Sequence, residues 1–228
     1  MNKVLYIILI SLFSLTVFSC SEEEEEYSAT GTTDDTTSTT CDSTVSFVAV
    51  GQSGKIFTSS NGTSWDNRSS GTTSHLIGVT YGNSKFHTMT GSIGRNSGAT
   101  ILTSSDGTTW TSTSGTCSSC PDNSSVYSLN DVTYGNSTYV AVGQSGKILT
   151  SSDGTSWTSR SSGTTSNLVG VTYGNSKFLT LTGLMDDGTA SPATVLTSAN
   201  GTSWASTSAT CSSCGTDNVS INDVTYAE

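Results

Sequence analysis

The chain has 228 residues, only 11% of them charged, and a formal net charge of -10. That length suits one domain of ordinary size with a core of its own. Residues 47–228 hold seven Lys and Arg against ten Asp and Glu. Such a balance makes no basic groove, which excludes nucleic acid as an expected partner.

Residues 1–19 read as a targeting segment. Lys3 supplies a positive start, and a nearly unbroken apolar run follows from Val4 to Phe18. Its length fits a signal-peptide core better than a membrane span. The run ends in Val17-Phe18-Ser19-Cys20. This phrase resembles the bacterial lipobox, with Phe18 in a place where that motif carries a smaller residue. The resemblance implies an acylated Cys20 as the first mature residue, and hence membrane lipid as a partner. Each buried methylene would contribute ~0.8 kcal/mol to anchoring. An ordinary secretory signal and an uncleaved N-terminal anchor are the alternatives. The address expected is a bacterial cell envelope, lipid-anchored, at the outer membrane or cell surface.

Residues 20–46 follow as an acidic tether. Residues 21–46 carry eight acids and no base, with too few apolar groups to offset the entropy of ordering them. Like charges extend such a linker. Cys41 lies within it, free or available to another chain.

From residue 47 the chain repeats. Trp65, Trp110, Trp157 and Trp204 are spaced 45, 47 and 47 residues apart, a period that marks a repeat architecture. Each period carries four short β signals. The first is an aliphatic-x-x-Val-Thr-Tyr phrase at 76–81, 129–134, 168–173 and 221–226. The second covers 47–50, 86–90, 139–142 and 178–182. The third covers 56–58, 101–103, 148–150 and 195–197, and the fourth is centred on each Trp. Tyr-Gly-Asn joins the first pair, and Ser-(Asp/Asn)-Gly-Thr the last pair, loosened to Ala199-Asn200-Gly201-Thr202 in the last copy. Both are hairpin-turn chemistry.

Four strands per period fit the blades of a propeller. The domain starts on a second strand, at 47–50, and finishes on a first strand, at 221–226. Those fragments would complete one blade, so the expected fold is an all-β, four-bladed β-propeller of four-stranded antiparallel blades. The C-terminal strand closes it on the N-terminal blade, leaving no open edge. A stacked solenoid and a ring closed by strand exchange between copies are the alternatives; a monomer is expected. Residues 51–91 align with 143–183 without a gap at 33 identical positions of 41. Blades therefore alternate in type, with a super-repeat of 92–94 residues.

The Thr-x-Ser-Asp-Gly-Thr-Ser-Trp phrase resembles the Asp-box of bacterial neuraminidase-type (BNR) repeat proteins, which implies a propeller of the sialidase type. Asp106 and Asp153 lie four residues before their Trp, one place later than in the strict box, and Asn61 and Asn200 replace the acid. In that family the box is a structural hairpin, and it specifies no activity.

Catalytic groups are scarce. Arg68, Arg95 and Arg160 are the only arginines, and a sialidase needs a converging cluster of them. Asp131 and Asp223 are the best carboxylate pair, placed to face each other across a central channel. There they would bind a cation or ligand; otherwise each caps nearby amides. Trp65, Trp110, Trp157 and Trp204 read as structural repeats packing between blades. Cys117 with Cys120, and Cys211 with Cys214, have zinc-like spacing, but an oxidising address favours two local disulfides. The loops 91–99 and 183–193 differ between otherwise similar blades and carry Arg95, Asp186 and Asp187. Recognition is expected there. The reading is thus an extracytoplasmic binding or scaffold module for a protein or glycan, with no catalytic residue, cofactor or metal. A sialidase-like carbohydrate hydrolase and a purely structural envelope lipoprotein are the alternatives.

Overall fold

The computed structural model describes residues 14–17, 45–94, 98–120, 127–185, 193–209 and 219–226. Within them the chain is all-β. The first sheet holds β1 (Ser14–Val17), β2 (Phe47–Val50), β3 (Ile56–Ser59) and β4 (Asp66–Arg68), in that order. The second sheet starts with β5 (Leu76–Gly82) and β6 (Lys85–Thr90). The short β7 (Ser92–Ile93) leaves it, and β8 (Thr100–Ser104) and β9 (Thr111–Ser114) complete it. Next come β10 (Thr116–Cys117), β11 (Tyr127–Gly135), β12 (Thr138–Gly143), β13 (Ile148–Ser151) and β14 (Ser156–Arg160). These make a third sheet of six strands, because β7 pairs with β11 and β10 runs parallel to β14. The fourth sheet is β15 (Leu168–Gly174), β16 (Lys177–Thr182), β18 (Ala193–Ser198) and β19 (Ala205–Ala209); β17 (Leu184–Met185) pairs apart from it with β20 (Val219–Ser220).

Several strands are buried along almost their whole length, as in β2 (Phe-Val-Ala-Val), β12 and β13, so these sheets have both faces to bury. They are buried against the neighbouring sheets. Val48, Val50 and Ile56 of the first sheet pack with Leu76, Val79, Phe86 and Leu102 of the second. Met89 and Ile101 pack with Val132, Tyr139, Leu149 and Trp157 of the third. Val140, Val142 and Ile148 pack with Leu168, Phe178 and Leu196 of the fourth. One cluster per junction is a propeller-like arrangement. Ile56, Leu102, Ile148 and Leu196 are fully buried, each contributing roughly 1.5–3 kcal/mol.

Four expectations need correction. The blades are not uniformly four-stranded, since β7 and β10 lace the second sheet to the third. The outer strands begin after the Trp in three blades; only β14 includes its Trp. In the other three the indole N–H donates to the carbonyl of the turn glycine, Gly62, Gly107 or Gly201, and this closes the turn before the ladder starts. Packing between blades describes the indoles only in part: Trp65, Trp110 and Trp204 each lie on a ring of their own blade, Phe47, Phe86 and Phe178. Trp110 and Trp204 also rest against the clusters between sheets, and Trp157 lies within one.

The fourth correction concerns closure. The strand beside β2 is β1, not 221–226. Ser14, Leu15, Thr16 and Val17 stand opposite Val50, Ala49, Val48 and Phe47, while 221–226 joins no ladder. An extended segment of alternating pattern satisfies the edge groups of β2 whatever its place in the chain.

The turns obey their chemistry. Gly62, Gly107, Gly154 and Gly201 take φ of 73 to 77°. The side-chain oxygen of Asn61, Asp106, Asp153 or Asn200 accepts the amides two and three residues on. In Tyr-Gly-Asn-Ser the left-handed residues are Asn and Ser, as at Asn136 (φ 44°) and Ser137 (φ 54°). The glycine of that phrase serves another purpose: the Tyr134, Tyr173 and Tyr226 rings lie directly on Gly82, Gly135 and Gly174. A Cβ at any of the three would overlap the ring.

Candidate functional site

The inner strands β5, β11 and β15 lie side by side, and 221–226 follows β15 as β15 follows β11. Their Gly78, Asp131, Gly170 and Asp223 come together in turn. The Asp131 carboxylate lies where a Cβ on Gly78 would be, and that of Asp223 where one on Gly170 would be. Asp131 is buried, and its two oxygens accept the Val132 and Val171 amides at 2.8 Å each. It therefore stitches β11 to β15. Burial first, and then the charge of Asp223, raise its carboxyl to about 7 against the pull of those two amides. Asp223 accepts the Val224 amide at 2.7 Å, and partial burial raises its carboxyl as well. The structure thus brings the two acids within each other's field, with Asp131 committed to backbone amides. Among the described residues no group of three or more His, Cys, Asp or Glu side chains is placed to hold a metal ion.

Other inner-strand contacts reinforce the stitch. The Asn130 amide donates to the Leu168 carbonyl at 2.7 Å, the Tyr134 N–H to the Thr80 hydroxyl and the Tyr139 hydroxyl to the Gly82 carbonyl. His87 is buried against Tyr139, with ring centroids 4.4 Å apart. Burial, then the Lys85 charge, lower it to about 4 although Asp153 pulls it up. Burial also pushes the Tyr139 hydroxyl to about 12, helped by Tyr134 and Asp153.

A second region lies on the outer side of the third sheet. An open groove of about 550 Å³ is lined by Ser145, Lys147, Ser159, Arg160, Ser162 and Thr164, among others. Its floor is shaped by two tight turns. Ser145 is left-handed (φ 54°), and its N–H donates to Asn167; Ser162 accepts the Thr164 amide and donates to the Thr164 carbonyl. Arg160 sits opposite Ile148 on β14, with its Nε donating to the Thr150 hydroxyl at 2.9 Å. Lys147 is next in line, its ammonium 4.4 Å from the centre of the Tyr127 ring.

The equivalent place in the first sheet differs in one telling way. Arg68 makes the same bond to Thr58, but its guanidinium also pairs with Asp66 at 3.0 Å. Thr158 stands where Asp66 stands. No carboxylate neutralises Arg160 from that position, so the groove keeps a positive wall among hydroxyls. Sequence comparison of the two blades contained this difference, but only the placement of Asp66 beside Arg68 gives it meaning.

The remaining expected site residues fall out as follows. Cys117 and Cys120 form a disulfide; both are fully buried and pack with Trp157. Their loop reaches β14 through β10, with Cys117 opposite Trp157. That cross-blade contact explains why Trp157 is buried while Trp65 is exposed. Cys20, Cys41, Arg95, Asp186, Asp187, Cys211 and Cys214 lie outside the described residues.

Neither a protein-family model nor a curated protein sequence matches the chain. Among solved structures it is similar to YCF48 bound to a D1 peptide, with a TM-score of 0.48 and 15% identity over 73% of this chain and 50% of that one. YCF48 from Cyanidioschyzon merolae gives 0.46 and 17%, over 73% and 53%. An exo-beta-1,3-galactanase from Phanerochaete chrysosporium gives 0.41 and 13%, over 71% and 47%. The chain spans about half the length of these proteins.

Proposed function

We propose that this chain is a binding module: a four-bladed propeller held at a bacterial envelope membrane through an acylated Cys20. Its ligand is a glycan bearing acidic groups, taken in the groove beside Arg160. The observation that carries this reading is the unneutralised Arg160 in a wall of serine and threonine hydroxyls. A guanidinium presents paired donors to a carboxylate or sulfate, and hydroxyls match sugar hydroxyls. The loop 91–99 would add contacts, since its β7 pairs with β11 at Tyr127, beside Lys147. A hydrolytic role has less support, because both oxygens of Asp131 are engaged by backbone amides and general acid–base work needs carboxylates free to face the bond.

Titration of the full chain against neutral and uronic-acid-bearing oligosaccharides tests the reading, with an acidic peptide as a second arm. Binding of the acidic sugar should weaken roughly tenfold or more in Arg160→Ala and fall with salt, while Arg68→Ala leaves it unchanged. Equal affinities in the two variants, or a preference for the peptide, would overturn it. The mass of the mature N-terminus tests the lipid anchor separately.

A further inference from the structure

Two segments of this chain fit one place in the fold. The duplication shifts by 92 residues, so 221–226 corresponds to 129–134 and β2 to residues 139–142 of β12. In the third sheet, Asp131, Val132, Thr133 and Tyr134 stand opposite Val142, Ala141, Val140 and Tyr139. The repeat therefore assigns Asp223, Val224, Thr225 and Tyr226 to Val50, Ala49, Val48 and Phe47. Those four partners are held instead by Ser14, Leu15, Thr16 and Val17. The two segments match position by position: Leu15 takes the place of Val224 and Thr16 that of Thr225. Both are short and uncharged over their last three residues, Leu-Thr-Val in one and Val-Thr-Tyr in the other.

The neighbours are divided between them. In a closed ring an inner strand in this place would have β5 on one side and β15 on the other. β1 touches β5. Residues 221–226 lie on β15, with the Tyr226 ring on Gly174 and the Asp223 carboxylate against Gly170. That repeats the seating of Tyr134 on Gly82 and Asp131 at Gly78. The tail is therefore seated on β15 as β11 is seated on β5, without a ladder to β2.

We propose that Ser14–Val17 and residues 223–226 are alternative occupants of a single inner-strand slot, and that the leader strand holds the domain unclosed until it departs. Once it leaves, the tail pairs with β2. Closure is thereby tied to processing of the N-terminus. The exchange stands on the register alone; its timing in the cell rests on removal of residues 1–19.

The test traps each ladder by disulfide formation in the full chain, with Cys20→Ser and Cys41→Ser to retain the leader and remove stray thiols. Opposed residues of antiparallel strands lie about 4.5–5.5 Å apart, within disulfide reach. Three pairs are made separately: Leu15→Cys with Ala49→Cys, Ala49→Cys with Val224→Cys, and Val132→Cys with Ala141→Cys as the fixed reference. With the leader intact, the first and third pairs should close and the second should not. Adding Thr16→Pro, which removes a ladder donor, should raise closure of the 49–224 pair roughly tenfold or more while the reference pair still closes. Leu15→Asp is run beside it. A 49–224 bond that forms in none of these chains, or equally in all, overturns the proposal. Loss of the reference bond in both leader variants overturns it too, because the tail would then be unable to replace the leader.

Discussion

The buried Asp131 and His87 should oppose each other's pH dependence, and single substitutions should uncover it. An unfolded Asp releases its proton near pH 3.8, whereas folded Asp131 holds it to about 7. Between those values the folded form binds more protons than the unfolded one, so this group lowers stability as pH rises. The shift of about three units corresponds to roughly 4 kcal/mol, fully developed above pH 7. His87 runs the other way. Unfolded, it takes a proton below pH 6.5; folded, it resists until about 4. Its contribution is present above 6.5 and lost as pH falls to 4, by roughly 3 kcal/mol. Over pH 4–6.5 the two slopes oppose, so the wild-type profile should be flatter than that of either variant, with Asp223, whose carboxyl burial also raises, adding to the side of Asp131. His87→Leu installs the residue found at the equivalent position 179 and should leave a protein that loses stability as pH rises. Asp131→Asn should do the reverse and gain stability from pH 4 to 6.5, on top of a uniform loss from the amide of Val171. Urea midpoints at half-unit steps, read by tryptophan fluorescence, supply the three profiles. Parallel profiles for all three proteins would refute the reasoning. The turn acids do not interfere. For Asp153, burial is outweighed by the Ser156 and Thr155 amides and the Ser151 hydroxyl, and Asp106 is held down by the Thr109 and Thr108 amides. Both titrate below this window.

Gly135→Ala should cost about 3 kcal/mol or more in urea unfolding, because the new Cβ falls within the Tyr173 ring and overpacking a fixed ring is costly. Gly163→Ala is the contrast: nothing lies near it, so only its φ of 76° is penalised, by about 1 kcal/mol. Asp153→Ala should lose about 1–2 kcal/mol at pH 7 through two unanswered amides, while Asp153→Asn stays within about 0.5 kcal/mol, since Asn61 and Asn200 hold the same turn. Gly78→Ala pushes on the Asp131 carboxylate, so its cost should shrink by about 1 kcal/mol or more in an Asp131→Gly background; additive costs in that cycle would show that the two positions do not touch.

Much of the fold was legible because it is written in local chemistry repeated four times. The period of the tryptophans, the aliphatic phrases and the glycines at 107 and 154 each specify a strand or a turn without reference to anything distant. The Cys117–Cys120 bridge was legible from its three-residue spacing together with the expected oxidising address. What was not legible depends on partners far along the chain. Gly82 looks like half of a turn phrase, yet it is needed for the ring of Tyr134, a contact between blades that no spacing announces. Trp157 looks like its three counterparts, yet a loop from the preceding blade covers it. Ser14–Val17 lies within a longer apolar run that reads as a leader, and four alternating residues inside such a run are too few to betray a strand.

The alternation of blade types has a physical cause in the inner strands. Asp131 stitches β11 to β15 by lending both oxygens to backbone amides, and that requires the carboxylate to lie flat against the preceding strand. Gly78 provides the room, since any Cβ there would strike it. The same pairing recurs between Gly170 and Asp223. A carboxylate at one position therefore demands a glycine at the one before it, and two carboxylates in succession would lack both space and charge compensation. Acid and glycine must alternate from strand to strand. A single-blade repeat cannot encode that pattern, whereas a two-blade repeat can. The 92-residue duplication, with Gly78 and Asp131 in one half and Gly170 and Asp223 in the other, is the shortest unit that carries both members of the stitch.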